Sequence, residues 1–162
     1  MMTPKERLSL IERYSAGPRL LRAAVERVPA DALRWRPATG KWSAHEVVCH
    51  CADSETVSST RIRFLTGEER PTILGYDPDR WAQRFDYQSL PLELALRQID
   101  QVRAWTADLI RRFPPEYWAR EGTHSESGPY GAEKWLTTYA EHLEIHARQI
   151  ERNLAAWNGA TR

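Results

Sequence analysis

Four long segments of the chain repeat apolar residues at spacings of three and four, which is the period of an α-helix with one buried face. The first two segments begin with capping boxes that end at Glu6 and Glu46, where a hydroxyl and a carboxylate bind the free amides of a helix start. The third opens at Pro91, and the fourth covers roughly 131–157. Two connections between them are long. The pattern predicts an all-α fold, a four-helix bundle with crossover connections.

Proline and glycine indicate where these helices should be interrupted. Gly17 and Pro18 predict a kink or a restart of the first helix, because proline lacks the amide hydrogen of the helical ladder. The second helix is expected to end before Gly67, and the fourth at Asn158-Gly159.

The two long connections are interpreted as ordered. The segment 68–90 holds prolines, a glycine and several aromatic residues, and should contain about one helical turn around 79–85. The segment 116–130 is interpreted as a second ordered connector.

The composition is typical of one soluble globular domain, 1–162, with 41% hydrophobic and 28% charged residues. No long uncharged apolar run suggests a membrane span or a signal peptide, so we expect a cytoplasmic protein. Basic and acidic residues number 23 and 22 without a basic stripe, which argues against nucleic-acid binding. Cys49 and Cys51 diverge on a helix, so we expect two small core residues and no disulfide.

Three histidines carry the chemistry that the sequence predicts. His142 and His146, in the motif H-L-E-I-H, are four residues apart and therefore share one helix face. His50 lies among valines of the second helix. If these helices are neighbours, three neutral imidazoles converge and can bind a divalent transition metal (Zn, Ni, Co, Fe, Mn or Cu), with positions left for water or substrate. The alternative is that the pair lies on a solvated face or bonds to carbonyls.

Four other side chains are candidates for orienting a ligand or contacting a substrate. Asp53 and Gln149 each lie one turn after a candidate ligand, although both are also ordinary helix-surface residues. Arg61 either faces the mouth of the pocket or pairs with an acidic residue. His124 either reaches the pocket or bonds its own turn. His45 points about 140° away from His50 and is expected at the surface. No residue is identified as a catalytic base.

Four motifs in order resemble the DinB-like superfamily, and especially its YfiT-like branch: K-W-S-A-H-E-V-V-C-H-C-A-D-S-E, R-I-R, R-P-T-I-L-G-Y-D-P-D-R-W-A and E-H-L-E-I-H-A-R-Q-I. The resemblance covers nearly the whole chain. It implies a metal-binding four-helix bundle, usually a dimer, whose ligands here are His50, His142 and His146. One departure is Cys49, where YfiT-like chains often carry another histidine.

For activity, the resemblance implies metal-dependent hydrolysis, transfer of bacillithiol to an electrophile, or isomerisation of maleylpyruvate with mycothiol. We expect a metal-dependent enzyme that transfers a low-molecular-weight, bacillithiol-like thiol to an electrophilic small molecule. The alternatives are a hydrolase that uses metal-bound water and a non-enzymatic metal-binding stress-response protein. The expected partners are a small-molecule substrate and a second copy of the chain, with neither nucleic acid nor membrane.

Overall fold

The structure is a computed structural model, and it describes residues 2–161. In chain order the helices and strands are α1 (Pro4–Glu26), α2 (Ala44–Gly67), β1 (Thr72–Ile73), α3 (Pro78–Arg84), α4 (Leu92–Arg111), a 3₁₀ helix (Pro115–Ala119), β2 (Glu121–His124), β3 (Gly128–Gly131) and α5 (Ala132–Ala160). The short α3 falls where one helical turn was predicted. Within residues 2–161 no helix is both long and apolar enough to cross a membrane.

The four long helices form a bundle in which the first two lie diagonally across from each other. Helix α1 packs against α4 and α5, and α2 packs against the same two. The predicted four-helix bundle with crossover connections is confirmed. Its consequence for function is that α2 and α5, which carry the three histidines, are neighbours.

A buried tryptophan aligns the two histidine-bearing helices. Trp135 of α5 has no exposed surface, and its indole Nε1 donates to the carbonyl of Ser58 in α2 at 3.0 Å. Burial of such a side chain contributes about 3 kcal/mol or more, as large-to-small substitutions indicate. Because the polar end of the ring is satisfied by the neighbouring helix, this contact sets how α5 is placed along α2.

The expected restart of α1 at Gly17-Pro18 is wrong, because the helix runs unbroken from Pro4 to Glu26. Pro18 cannot donate to the carbonyl of Tyr14, one turn earlier. That carbonyl instead accepts a hydrogen bond from Nη1 of Arg103 at 2.7 Å. The missing backbone bond is thus replaced by a side chain from α4.

The expected end of α5 at Asn158-Gly159 is also wrong, because the helix continues to Ala160. A glycine inside a helix costs only about 1 kcal/mol. The ring of Trp157 packs on Trp35 with centroids 5.6 Å apart, which holds the last turn of α5 on the bundle.

The two long connectors form a small three-stranded sheet that was not predicted from the sequence. Strand β1 is parallel to β2, with Ile73 opposite His124, and β2 is antiparallel to β3. Gly128 supplies the positive φ of 74° at the start of β3. Strands of two to four residues are too short to display the alternation that identifies a strand.

The start of α2 is covered on nearly every side. His45 is 1% exposed, and its Nε2 lies 2.8 Å from the carbonyl oxygen of Leu90, so its expected surface position is wrong. The crossover segment packs over this side of the helix, which the helical period alone does not reveal. Cys49 and Cys51 are buried free thiols, as predicted for small core residues.

Candidate metal centre

Helices α2 and α5 bring His50, His142 and His146 to one place. One nitrogen from each ring lies within 4.8 Å of the others. The ring centroids are 4.9 Å apart for His50 and His146, 5.6 Å for His50 and His142, and 4.6 Å for His142 and His146. Two nitrogens at about 2.1 Å from a shared zinc ion are at most about 4.2 Å apart. Small side-chain rotations therefore suffice to bring all three nitrogens onto one ion.

Two of the rings are oriented by hydrogen bonds at Nδ1. Nδ1 of His142 lies 2.9 Å from Oε1 of Glu55, and Nδ1 of His146 lies 2.9 Å from Oε1 of Gln149. A ring that donates through Nδ1 leaves its Nε2 lone pair free for a metal. Nε2 of His142 has one further neighbour, Oγ of Ser54 at 3.4 Å.

His50 is the most enclosed of the three histidines. It is 7% exposed, and the ring of Trp42 packs on it with centroids 4.7 Å apart. Among residues 2–161, its buried Nδ1 has no hydrogen-bond partner. An unpartnered buried polar atom costs about 1–3 kcal/mol. The residues present therefore fit a metal: an orphaned nitrogen sits beside two oriented imidazoles.

The imidazoles favour the neutral form that binds metals. Burial, followed by the neighbouring His146 and His142, lowers the pKa of His50 to about 3. Burial, followed by His142, lowers the pKa of His146 to about 4. At neutral pH both rings are uncharged, so a cation binds there without displacing protons from them.

A buried ion pair lies behind His142. Glu55 of α2 and Arg103 of α4 are 0% and 1% exposed, and they share two hydrogen bonds of 2.6 Å. Burial raises the pKa of the Glu55 carboxyl, but Arg103 and the bond to His142 outweigh it, so the pKa lies below its usual value. Glu55 is thus a charged acceptor for the His142 ring.

This pair was not predicted from the sequence, although the chain contains a signal for it. Glu55 falls on the same helix face as Cys51 and Ile62, and Arg103 shares a face with Ile99 and Ile110. One acid and one base placed on two apolar stripes indicate a buried salt bridge, because either charge alone would be costly there.

Polar side chains stand beside the histidines. Arg61 donates from Nη1 to the hydroxyl of Tyr139 at 3.1 Å, and the Tyr139 ring lies 5.6 Å from that of His142. Burial raises the pKa of Tyr139, and it raises the pKa of Tyr76 to about 12. Both hydroxyls therefore keep their protons at neutral pH and can donate hydrogen bonds.

The remaining candidates are placed differently. Asp53 accepts a hydrogen bond from the hydroxyl of Tyr87 rather than from a histidine. Gln149 contacts His146, as described above. His124 lies on β2, where its Nδ1 accepts from the amide of Glu126 at 3.2 Å, so it bonds its own turn and stays outside the histidine cluster.

Helices α2 and α5 of the bundle bring three imidazoles to one point, which gives this helical protein a candidate histidine metal centre. Residues 13–150 match the family model of the DinB superfamily. Because this is most of the chain, the protein belongs to that superfamily, and the resemblance drawn from the motifs is confirmed.

Two relatives match this chain over most of their own length. It is 32% identical over 133 residues to a protein of Oceanobacillus iheyensis, covering 82% of this chain and 77% of that one. It is 30% identical over 148 residues to a protein of Bacillus licheniformis, covering 88% and 82%. The names of both assign them provisionally to the metal-dependent hydrolases.

Solved structures share the fold at lower identity. YfiT from Bacillus subtilis, described provisionally as a metal-dependent hydrolase with an unusual four-helix bundle topology, has a TM-score of 0.88 at 23% identity, covering 94% of this chain and 88% of that one. A mycothiol-dependent maleylpyruvate isomerase has a TM-score of 0.70 at 16% identity, covering 92% of this chain and 61% of that one. At such identities the likeness establishes the fold alone.

Proposed function

We propose that this protein is a divalent-metal-dependent enzyme that transfers a low-molecular-weight thiol, such as bacillithiol, to an electrophilic small molecule. The observation that carries the proposal is the convergence of His50, His142 and His146, two of them with lowered pKa values. These three residues would hold the ion. A divalent ion bound there lowers the pKa of a thiol or a water molecule that reaches it.

The thiol must come from outside the chain. Cys49 and Cys51 are 2% and 0% exposed. Burial raises the pKa of Cys49 to about 12 and raises the pKa of Cys51 as well. Buried protonated thiols are poor nucleophiles. A small soluble thiol that enters beside the partly exposed His142 and His146 is the reactant that this arrangement suits.

The protein's own part is to orient the ligands and exclude water behind them. Glu55 and Gln149 hold two rings by their Nδ1 atoms. Trp42 covers His50, and the buried Arg103 fixes the carboxylate of Glu55. Rings that are already oriented would need little rearrangement to hold the ion.

A test is conjugation of bacillithiol to monochlorobimane by protein that has been stripped with a chelator and reloaded separately with Zn, Ni, Co and Mn. We expect a rate above background with at least one ion, and its loss in His142→Ala. The matched control is Ile145→Ala, which alters a 46% exposed residue between the two ligands and should keep the rate. Background rates with all four ions contradict the proposal.

A second candidate, hydrolysis, is favoured by the names of the relatives and by the same open site. Turnover of esters, amides or phosphoesters without any thiol would distinguish hydrolysis from thiol transfer. The third candidate, a non-enzymatic stress-response protein, predicts that His50→Ala removes stabilisation by metal while no substrate is turned over.

The proposed activity also bears on the location and the partners of the protein. A transferase that uses a free thiol would work in the reducing cytoplasm. We further propose that the protein is a homodimer. We also propose that it binds no nucleic acid, in keeping with its net charge of +1.

A further inference from the structure

Among residues 2–161, Arg61 is a cation without a counter-ion. Its Nη1 donates to the Tyr139 hydroxyl at 3.1 Å and its Nη2 to the Leu74 carbonyl at 2.6 Å. In the part of the chain from 2 to 161, its buried Nε has no partner, and no carboxylate lies within ion-pair distance. Both of its hydrogen-bond acceptors are neutral, and a half-buried guanidinium with neutral partners favours the arrival of an anion.

This cation lies on the side of α2 that carries His50. His50, Ser54, Val57 and Arg61 follow one another on α2 at spacings of four, three and four, so they share one helix face. Long helical side chains lean toward the N-terminal end, which here is the end that carries His50. The contact of Arg61 with Tyr139, whose ring packs on His142, completes the connection.

An apolar cavity borders Arg61. It measures about 270 Å³, and its apolar border is formed by Val57, Phe64, Ile73 and Leu74. Arg61 and three threonines, Thr56, Thr60 and Thr72, complete the lining. Phe64 and Leu74 are 47% and 71% exposed, so apolar surface is available there. The volume is slightly below the range of about 300–1,000 Å³ of pockets for drug-sized ligands. A short alkyl chain or a single ring fits such a space.

We propose that Arg61 and this cavity form the binding site for a small carboxylate with an apolar group, whose carboxylate binds the guanidinium and whose apolar part fills the cavity. The link of this site to turnover rests on the proposed function, whereas binding itself does not. A guanidinium offers paired N–H donors that match the two oxygens of a carboxylate. The carboxylate can belong to the electrophile or to the thiol.

The binding test compares hexanoate with hexanamide, which has the same chain without the charge, by calorimetric titration. It uses both metal-loaded and chelator-treated protein. We expect hexanoate to bind at least about tenfold more tightly than hexanamide, or about 1.4 kcal/mol, in both forms. Arg61→Gln should abolish the preference and Arg61→Lys should keep part of it. In the matched control Arg63→Gln the preference should remain, because Arg63 bonds Ser59 on the same helix.

Several outcomes overturn the inference. Equal binding of acid and amide, or an unchanged preference in Arg61→Gln, removes Arg61 from the site. Hexanoate binding that disappears with the metal shows that the ion, not Arg61, holds the carboxylate. If Leu74→Ser dissociates a dimer and leaves hexanoate affinity unchanged, a second copy of the chain covers the cavity instead.

The source of the carboxylate is decided by inhibition of the conjugation reaction. Competition of hexanoate with the electrophile assigns the carboxylate to the electrophile, and competition with the thiol assigns it to the thiol. Each pattern supports the site. Binding of hexanoate through Arg61 in a protein that conjugates nothing would retain this inference while the proposed function fails.

Discussion

Oε1 of Glu55 lies 2.9 Å from Nδ1 of His142, and the same carboxylate is bound by Arg103 through two hydrogen bonds of 2.6 Å. Arg103 in turn donates to the carbonyls of Tyr14 and Tyr139. One buried guanidinium therefore connects α1, α2 and α5 to a candidate ligand. The substitution of either charged residue should affect both stability and metal binding.

Glu55→Gln is expected to weaken metal binding by about 10–100-fold, because a neutral amide holds the His142 ring less firmly than a carboxylate. It should also lower the free energy of unfolding by about 3–5 kcal/mol, since Arg103 would stay buried without its partner charge. Competition with a chromogenic chelator and urea unfolding measure the two effects.

The double variant Glu55→Gln/Arg103→Met separates these two effects. Removal of both buried charges should recover part of the lost stability, while metal affinity stays low. Glu151→Gln, which changes a 47% exposed carboxylate, is the control and should alter neither quantity. Wild-type metal affinity in Glu55→Gln would show that the carboxylate does not orient the ring.

His50→Ala should remove the stabilisation that a bound metal gives. A ligand present at about 100 times its dissociation constant stabilises the folded state by about 2.7 kcal/mol. Thermal unfolding with and without zinc should show a higher Tm with the ion for the wild type and for Ile145→Ala, but not for His50→Ala. A metal-induced rise in Tm that persists in His50→Ala would place the ion elsewhere.

Acidification should destabilise the metal-free protein. The pKa values of His50 and His146 are lowered by burial from 6.5 to about 3 and about 4, so the unfolded chain binds more protons than the folded one below about pH 6.5. Their contribution to stability is complete above that pH and is lost as the pH falls toward 4. Urea unfolding between pH 7 and pH 4 (roughly the range set by these values) should show the decline.

The matched variant for this pH effect is His50→Leu. It removes one of the two titrating groups and keeps an apolar side chain of similar size, so the decline with acidification should become shallower. An equally steep decline in His50→Leu would assign the loss of stability to other titrating groups.

Gly17→Ala should destabilise the bundle. A Cβ at this position would lie 3.1 Å from Cβ of Leu143, so α1 and α5 would have to separate slightly, at a cost of about 1–3 kcal/mol. Gly159→Ala, in α5, meets nothing within 4 Å and should stabilise by up to about 1 kcal/mol. Urea unfolding of the pair should give changes of opposite sign, and equal signs would contradict the close helix contact.

Neither cysteine should react in the native state. Cys49 and Cys51 are buried, and their pKa values are raised. A disulfide-exchange reagent should therefore react with both thiols only after unfolding. Rapid native reaction of either thiol would remove the argument that the reactive thiol must come from solution.

The sequence was sufficient to predict the features that depend on the period of a single helix. The four-residue spacing of His142 and His146 and the apolar surroundings of His50 predicted which rings meet. The sequence did not predict features that depend on contacts with a neighbouring segment. The segment ending at Leu90 buries His45, and a guanidinium from α4 replaces the hydrogen bond that Pro18 lacks. Such contacts depend on which elements pack together, and a local pattern does not contain that information.

The diagonal placement of α1 and α2 has a consequence for biosynthesis. Because α2 meets its histidine partners only on α5, the candidate centre joins positions separated by about ninety residues of chain. A nascent polypeptide cannot assemble it until α5 has left the ribosome. Uptake of the ion would then mark the emergence of α5, and a product truncated before this helix would be recognisable by its failure to capture one.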